Sequence, residues 1–244
     1  MRIFNAKKNS VEHETPRPFV TAIIVAAGNS TRMRGVNKQF LTLGGVPVLV
    51  RALREFSLCP LIDEVVLAAR ESDIAEMFAL VKNYEIEKVT DIVRGGETRQ
   101  ESVFAAIKVA SPNTEFFAIH DGARPLVTQN VISDTVEKAF AVGAAATGVR
   151  VKDTIKVVNE NGVITATPER ASLWAVHTPQ VFSRELYVRA AETVPNSVDF
   201  TDDCKLIEAF GHSVHMVEGS YENIKITTPE DILLAQGILQ GREE

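Results

Sequence analysis

Cysteine is scarce in this 244-residue chain: Cys59 and Cys204 are the only two, and neither belongs to a Cys-x-x-Cys pair or a zinc-ligand spacing. Both are read as reduced packing thiols, which suits a cytoplasmic protein. No stretch approaches the about 18 consecutive apolar residues of a membrane span, so no membrane partner is expected. Positive charge is in deficit, with 26 Lys and Arg against 32 Asp and Glu and a net charge of -6. A chain of that balance has no broad footprint for nucleic acid, and any anion must be held locally. Four familiar signatures are also missing. Without G-x-x-x-x-G-K-[ST] the chain is not a standard P-loop kinase or ATPase, and without G-x-G-x-x-G it lacks the usual dehydrogenase fingerprint. The absence of Asp-x-Asp counts against a familiar metal-dependent glycosyltransferase, and that of G-x-S-x-G against a serine hydrolase.

Hydrophobic residues make up 45% and charged residues 24% of the chain, enough for one large domain with a substantial core. Residues 1–19 form a polar, mixed-charge leader without the apolar centre of a secretory signal, and they read as a loosely ordered extension. A single domain is expected over 20–244. It is organised around TAIIVAAGNSTRMRGVNKQF, from Thr21 to Phe40. The apolar run Ala22 to Ala27 has the character of a strand buried on both faces and stops at Gly28. Small residues follow, then Arg32, Arg34 and Lys38, a combination suited to polyphosphate.

Further along, Pro47 to Leu58 carries a helical apolar face. A strand is expected from Ile62, a helix from Glu71 with Ser72 as its cap, and a strand from Lys88 to Arg94. Gly95 and Gly96 then precede a helix from Arg99. FFAIHD, from Phe116, ends a further strand at His120 and Asp121, and a helix is expected from Gln129 to Val142. This alternation predicts an α/β fold, a three-layer open and mostly parallel sheet of Rossmann-like type, with ligands at the carboxyl ends of its strands near Gly28, Gly96 and Asp121. From Lys152 the alternation changes to a hairpin centred on Asn161-Gly162, too small to stand alone; a second subunit is the natural surface for it to pack against, and an edge hairpin folded on its own domain is the alternative. ASLWAVHTPQVF leads to a helix from Ser183. Thr201 starts another helix, SVHMVEG and NIKIT read as strands, and Pro229 opens a last helix to about Leu239 behind Thr228.

The residues gathered at the expected strand ends are cationic and hydroxylic: Arg32, Lys38, Ser102, Arg124 and Lys225. Asp121, beside a Gly-Ala turn, is the carboxylate best placed for a metal ion. Attack of one phosphate on a nucleotide α-phosphate fits this inventory, because an ionised phosphate nucleophile needs no general base, only fixed cations and Mg²⁺ to offset repulsion. Competing structural roles exist: Asp121 as a cap or a partner of Arg124, Lys225 at a sheet edge, His120 as a hydrogen-bonded strand-end residue and Trp174 as a packing anchor.

In order, AAGNSTRM with NKQF, GGETRQESV, HDGARP, VKDTIK, ERASLWAVHTPQ, TDDCKLIE and NIKITTPED closely resemble the cytidylyltransferases that convert 2-C-methyl-D-erythritol 4-phosphate and CTP to the cytidine diphosphate alcohol and pyrophosphate for isoprenoid synthesis. The resemblance runs from Val20 to Leu239. It implies that Ala26, Ala27, Gly28, Gly96 and Ser102, with Gly122 beside them, hold the nucleotide, and that Arg32 and Lys38 bind the triphosphate and stabilise the transition state. Asp121 would lie beside Mg²⁺. Arg124, Thr178, Thr201 and Lys225 match positions around the phosphorylated alcohol. Thr154 and Arg170 match residues delivered by the hairpin arm of a partner subunit, about 150–172, which implies a homodimer and gives Arg170 and Lys225 the role of orienting the attacking phosphate.

Departures from the family pattern are Ser30 for a frequent glycine, Asn37 for the proline before the lysine, Gly122 for alanine and Glu97 for aspartate. None removes a charge that the mechanism requires. The rival acceptor is ribitol 5-phosphate, as in teichoic acid synthesis, to which TDDCK and NIKITTP also bear a likeness; KDTIK and ERASLWAVHTPQ resemble the methylerythritol branch. A non-catalytic nucleotide-binding protein would have no use for Arg32, Lys38, Arg170 and Lys225 together.

Overall fold

Buried runs such as Val20 to Val25 and Glu64 to Ala69, covered on both faces, require helices above and below the sheet they join. A computed structural model describes residues 17–28, 37–194 and 200–243. In chain order its elements are β1 (Val20–Val25), a short hairpin of β2 (Thr42–Leu43) and β3 (Val46–Pro47), α1 (Val48–Leu58), β4 (Glu64–Ala69), α2 (Ile74–Asn83), β5 (Val89–Arg94), α3 (Arg99–Ile107), β6 (Phe116–Asp121) and α4 (Gln129–Val142). There follow β7 (Ala144–Arg150), β8 (Val157–Val158), β9 (Ile164–Ala166), β10 (Trp174–Ser183), α5 (Arg184–Thr193), α6 (Asp203–Ala209), β11 (His215–Glu218) and α7 (Pro229–Glu243).

Seven strands form one sheet in the order β11-β7-β10-β6-β1-β4-β5. All pairings are parallel except those of β10, which runs antiparallel to both β6 and β7. Alternate residues of β1 serve opposite layers. Ala22 and Ile24 join Leu53, Phe56, Met77 and Val136 from α1, α2 and α4, whereas Ile23 joins Val103, Tyr187 and Leu206 from α3, α5 and α6. Each such large buried side chain stabilises the fold by about 1.5–3 kcal/mol. A third, smaller cluster of Leu43, Val48, Leu126, Ile226 and Ala235 seats α7. Among the described residues no helix is long and apolar enough to cross a membrane.

The chain departs from expectation where side chains are atypical of strands. Ala144–Arg150 is a buried strand without the β-branched signature; its alanines let α4 pack closely behind it. β10 contains Pro179 after a cis peptide bond and a register shift between Val176 and Gln180, which mask its strand pattern. NIKIT is not a strand: Ile224 and Ile226 pack on the α7 cluster, and the Ile226 N–H donates to Ala123 without forming a ladder. Asp73, not Ser72, precedes α2, after a 3₁₀ turn that shifts the helix start. Asp202, rather than Thr201, caps α6 by accepting from the Lys205 N–H. α7 runs on to Glu243. Arg17, assigned to the loose leader, forms a two-bond pair with Asp63 at 2.7 and 2.8 Å, so residues 17–19 are tied to the domain. Residues 1–16 lie outside the described residues.

The hairpin of β8 and β9 forms where expected. Asn159 N–H donates to the Val163 carbonyl, enclosing Glu160, Asn161 and Gly162, and Gly162 takes φ 76° as the left-handed position of a three-residue loop. Its base is braced: the Tyr221 hydroxyl donates to the Arg150 carbonyl at 2.7 Å, and Arg150 and Lys152 lie over the Trp174 and Tyr221 rings. Trp174 is thus a packing anchor.

Candidate active site

β1 and β4 lie on one side of the point where the strand order reverses, β6 on the other, and a cleft of about 1040 Å³ opens at their carboxyl ends. Ala27 and Gly28 enter it directly from β1, and Ala26 is buried just behind them. The opposite wall begins at Gly95, whose N–H donates to the Ala69 carbonyl. Gly96 follows in space that admits no side chain, since a Cβ there would stand 2.2 Å from the Glu101 Cβ. α3 then starts in a capping box: Thr98 Oγ1 accepts from the Glu101 N–H, and the Glu101 carboxylate accepts from the N–H of Glu97 and Thr98. Ser102 lines the cleft, but its hydroxyl is engaged with the turn, accepting from Gly96 N–H and donating to the Thr98 carbonyl.

At the end of β6, Asp121 is the electrostatic centre. Its Oδ2 lies 2.7 Å from Lys225 Nζ, its Oδ1 3.3 Å from Arg99 Nε, and Arg124 Nε is 3.9 Å away. Burial opposes its charge, yet Arg99, Lys225 and Arg124 outweigh burial and hold the carboxyl well below the usual carboxylate range. Lys38 also lines the cleft and donates from Nζ to the Ile226 carbonyl at 2.8 Å. Asn37, in place of the family's proline, supports it: Nδ2 donates to Asp73 at 2.7 Å and Oδ1 accepts from the Gln39 N–H.

Behind Asp121 the polar side chains are linked in series, although Arg124 Nε and Asn223 Oδ1 are buried without a hydrogen-bond partner. Thr178 Oγ1 accepts from the Asp121 N–H, so its own proton goes to Nδ1 of His120, and His120 Nε2 donates to the Arg124 carbonyl. Burial lowers the His120 pKa to about 3, so this imidazole is neutral and structural, as a strand-end histidine should be. Asn223, fully buried, holds two neighbours at once: its backbone carbonyl accepts from Arg124 Nη1 at 2.7 Å and its side-chain Nδ2 donates to the Thr178 carbonyl at 3.0 Å.

Of the residues singled out in the sequence, Ala27, Gly28, Lys38, Gly96, Ser102, Asp121 and Lys225 line this one cleft. Arg124 and Thr178 are buried immediately behind it. Gly122 fills a tight position, with Leu49, Gln39 and the Val25 carbonyl 3.1 to 3.3 Å from a would-be Cβ. Arg32, with Ser30 and Arg34, lies outside the described residues. Thr201 is exposed beside the α6 cap, and Thr154 and Arg170 are exposed on the arm; within one chain Arg170 donates to the Lys152 carbonyl and does not line the cleft. Sequence reasoning missed Arg99 and its partner Asp203, 104 positions apart and joined at 2.5 Å. The available signal was an arginine opening a helix directly after the Gly95-Gly96 turn.

The family model described as IspD, 2-C-methyl-D-erythritol 4-phosphate cytidylyltransferase, matches residues 20–241. The chain is 45% identical over 225 residues to the protein of that name from Caldanaerobacter subterraneus, covering 91% of this chain and 99% of the relative. It is 46% identical to the Halalkalibacterium halodurans protein of the same name, covering 91% and 98%. The crystal structure of 4-diphosphocytidyl-2C-methyl-D-erythritol synthase from Anaerococcus prevotii superposes with a TM-score of 0.83 at 32% identity, covering 91% of this chain and 96% of that one.

Proposed function

This chain belongs to the 2-C-methyl-D-erythritol 4-phosphate cytidylyltransferase family and is a nucleotidyltransferase that makes 4-diphosphocytidyl-2-C-methyl-D-erythritol and pyrophosphate from CTP and the alcohol phosphate; we propose that Lys38 and Lys225 serve this transfer together at the end of β6. Their presence in one cleft with Asp121 is the observation that supports the assignment. CTP enters between Gly28 and the Gly96 turn, where bare backbone allows close approach of base and ribose. The Lys38 ammonium faces its phosphates. The alcohol phosphate occupies the side of Lys225 and Arg124. Its oxygen attacks the α-phosphorus, the bond from that phosphorus to the bridging oxygen breaks, and pyrophosphate leaves with the electron pair. Lys38, with Arg32, stabilises the negative charge that builds at the transferred phosphorus, while Lys225 and Arg170 hold the attacking phosphate in line.

A divalent ion such as Mg²⁺ fits this donor set in one way. Among the described residues no group of three His, Cys, Asp or Glu side chains gathers, and Asp121 supplies a single carboxylate at the cleft. Such an ion would be held largely by triphosphate oxygens with Asp121 beside it, the usual division for Mg²⁺ on a nucleotide. When bound it would screen the negative charge of the triphosphate.

We infer a homodimer from the arm. Ile155, Val157, Val158, Val163 and Ile164 are 40 to 58% exposed on a hairpin with too little core of its own. Docked on a second copy, the arm would deliver Thr154 and Arg170 to the neighbouring cleft. Ribitol 5-phosphate as acceptor is not favoured by the family match. Competition between the two alcohol phosphates, with CTP and Mg²⁺, tests the acceptor: preferential formation of the methylerythritol product is expected, and preferential turnover of ribitol 5-phosphate would overturn the assignment.

A further inference from the structure

The cleft contains a competition that its geometry resolves. Asp121 has two oxygens and two close cations, and the guanidinium of Arg99 is the stronger candidate for both, because a planar fork binds a carboxylate with two parallel bonds where an ammonium makes point contacts. Yet Arg99 reaches Asp121 through Nε alone, at 3.3 Å to Oδ1, and Oδ2 is left to Lys225 at 2.7 Å.

What draws Arg99 away is Asp203, whose Oδ2 accepts from Arg99 Nη1 at 2.5 Å. Asp203 is 3% exposed, opens α6 and does not line the cleft. It is itself fixed from two sides. The hydroxyl of the fully buried Tyr187 donates to its Oδ1 at 2.7 Å, and its backbone N–H donates to Gln180 Oε1 at 3.0 Å. Gln180 in turn donates to Asp202 at 3.0 Å, pinning the start of α6 to β10. The outcome is a row of alternating charges, Asp203, Arg99, Asp121 and Lys225, buried and hydrogen-bonded at the Asp203 end and open to the cleft at the Lys225 end.

We propose that Asp203 is a positioning residue for the alcohol phosphate: by clamping Arg99 it reserves Asp121 Oδ2 for Lys225 and so sets where the Lys225 ammonium meets the attacking phosphate. This rests on the assignment of Lys225 to that phosphate. Once the clamp is lost, Arg99 swings onto Asp121 with both arms and displaces Lys225.

The test is steady-state kinetics of the full chain with CTP and 2-C-methyl-D-erythritol 4-phosphate. Asp203→Asn should raise KM for the alcohol phosphate about tenfold while KM for CTP stays within about twofold. In a Lys225→Ala background the same change should add little, because the two act through one contact. Arg99→Gln combined with Asp203→Asn should recover part of the lost KM, since the competitor for Asp121 is gone; a purely structural Asp203 predicts no recovery. If Asp203→Asn fails to fold, Tyr187→Phe loosens the same clamp without changing charge and should shift the alcohol-phosphate KM in the same direction. The proposal is overturned if Asp203→Asn costs as much with Lys225 absent as with it present, or if both KM values rise together. Should Lys225→Ala alone leave alcohol-phosphate kinetics unchanged, it is the assignment of Lys225 that fails.

Discussion

Lys38 is tied to the chain one residue beyond Lys225: its ammonium donates to the Ile226 carbonyl at 2.8 Å, while Lys225 itself pairs with Asp121. Residues 187 positions apart in the chain are thereby held in a common cleft. Lys38→Ala should lower kcat by about 10²-fold or more and leave KM for CTP nearly unchanged, because a cation acting on developing charge shows its effect at the transition state. A raised KM with an intact kcat would assign Lys38 to ground-state binding instead.

Gly96 tests the nucleotide wall. A methyl group there meets Glu101 Cβ at 2.2 Å and its carboxylate at 2.6 Å, so Gly96→Ala must break the reciprocal bonds that start α3. The expected result is a rise in KM for CTP of about tenfold, together with a stability loss comparable to the about 1 kcal/mol of a missing N-cap. Thr98→Ala should reproduce the stability loss in urea unfolding with a smaller effect on CTP. Wild-type CTP affinity in Gly96→Ala would show that this turn does not border the nucleotide.

Shared sites predict complementation. Arg170→Ala and Lys38→Ala, each nearly inactive, should recover about a quarter of wild-type activity when mixed and allowed to exchange, since half the dimers are mixed and each of those has one complete site. Val158→Asp with Ile164→Asp should reduce the dimer population in sedimentation measurements. Absence of recovery after demonstrated exchange would mean that each chain completes its own site.

His120 makes the fold sensitive to acid. Burial lowers its pKa from 6.5 to about 3, so between those values the unfolded chain carries a proton that the folded chain refuses. Stability is therefore lost as pH falls through that window, with a slope of about 1.4 kcal/mol per pH unit from this one group. His177, lowered by burial and by Arg124 to about 4, acts in the same direction. The urea midpoint should drop between pH 7 and pH 5, and His120→Asn should flatten that drop while lowering the midpoint at pH 7. An unchanged pH dependence in the variant would assign the acid sensitivity elsewhere.

Sequence legibility followed side-chain type and contact range. β1, β4 and β6 were readable because runs such as AIIV and VVL are buried on both faces, and Gly28 and Asp121 could be placed at strand ends by the alternation alone. β7 was not readable, because its alanines suit close packing and carry no strand preference, and β10 was hidden by Pro179. NIKIT misled because Ile224 and Ile226 alternate around Lys225 for a different reason, packing against α7 rather than lying in a sheet. Arg99 was overlooked since its meaning depends on Asp203, a partner that only the closed fold brings near.

The placement of β10 bears on how the chain must be made. The strand between β6 and β7 is supplied by Trp174–Ser183, long after both of its neighbours have been synthesised. Until it arrives, β6 is an unpaired edge of the sheet and β7, whose partners β10 and β11 both come later, has no strand to pair with, an arrangement that invites association with another chain. A product truncated ahead of position 174 should therefore be prone to clumping although it contains most of the cleft, and the last third of the polypeptide acts as the closure that makes the earlier part safe.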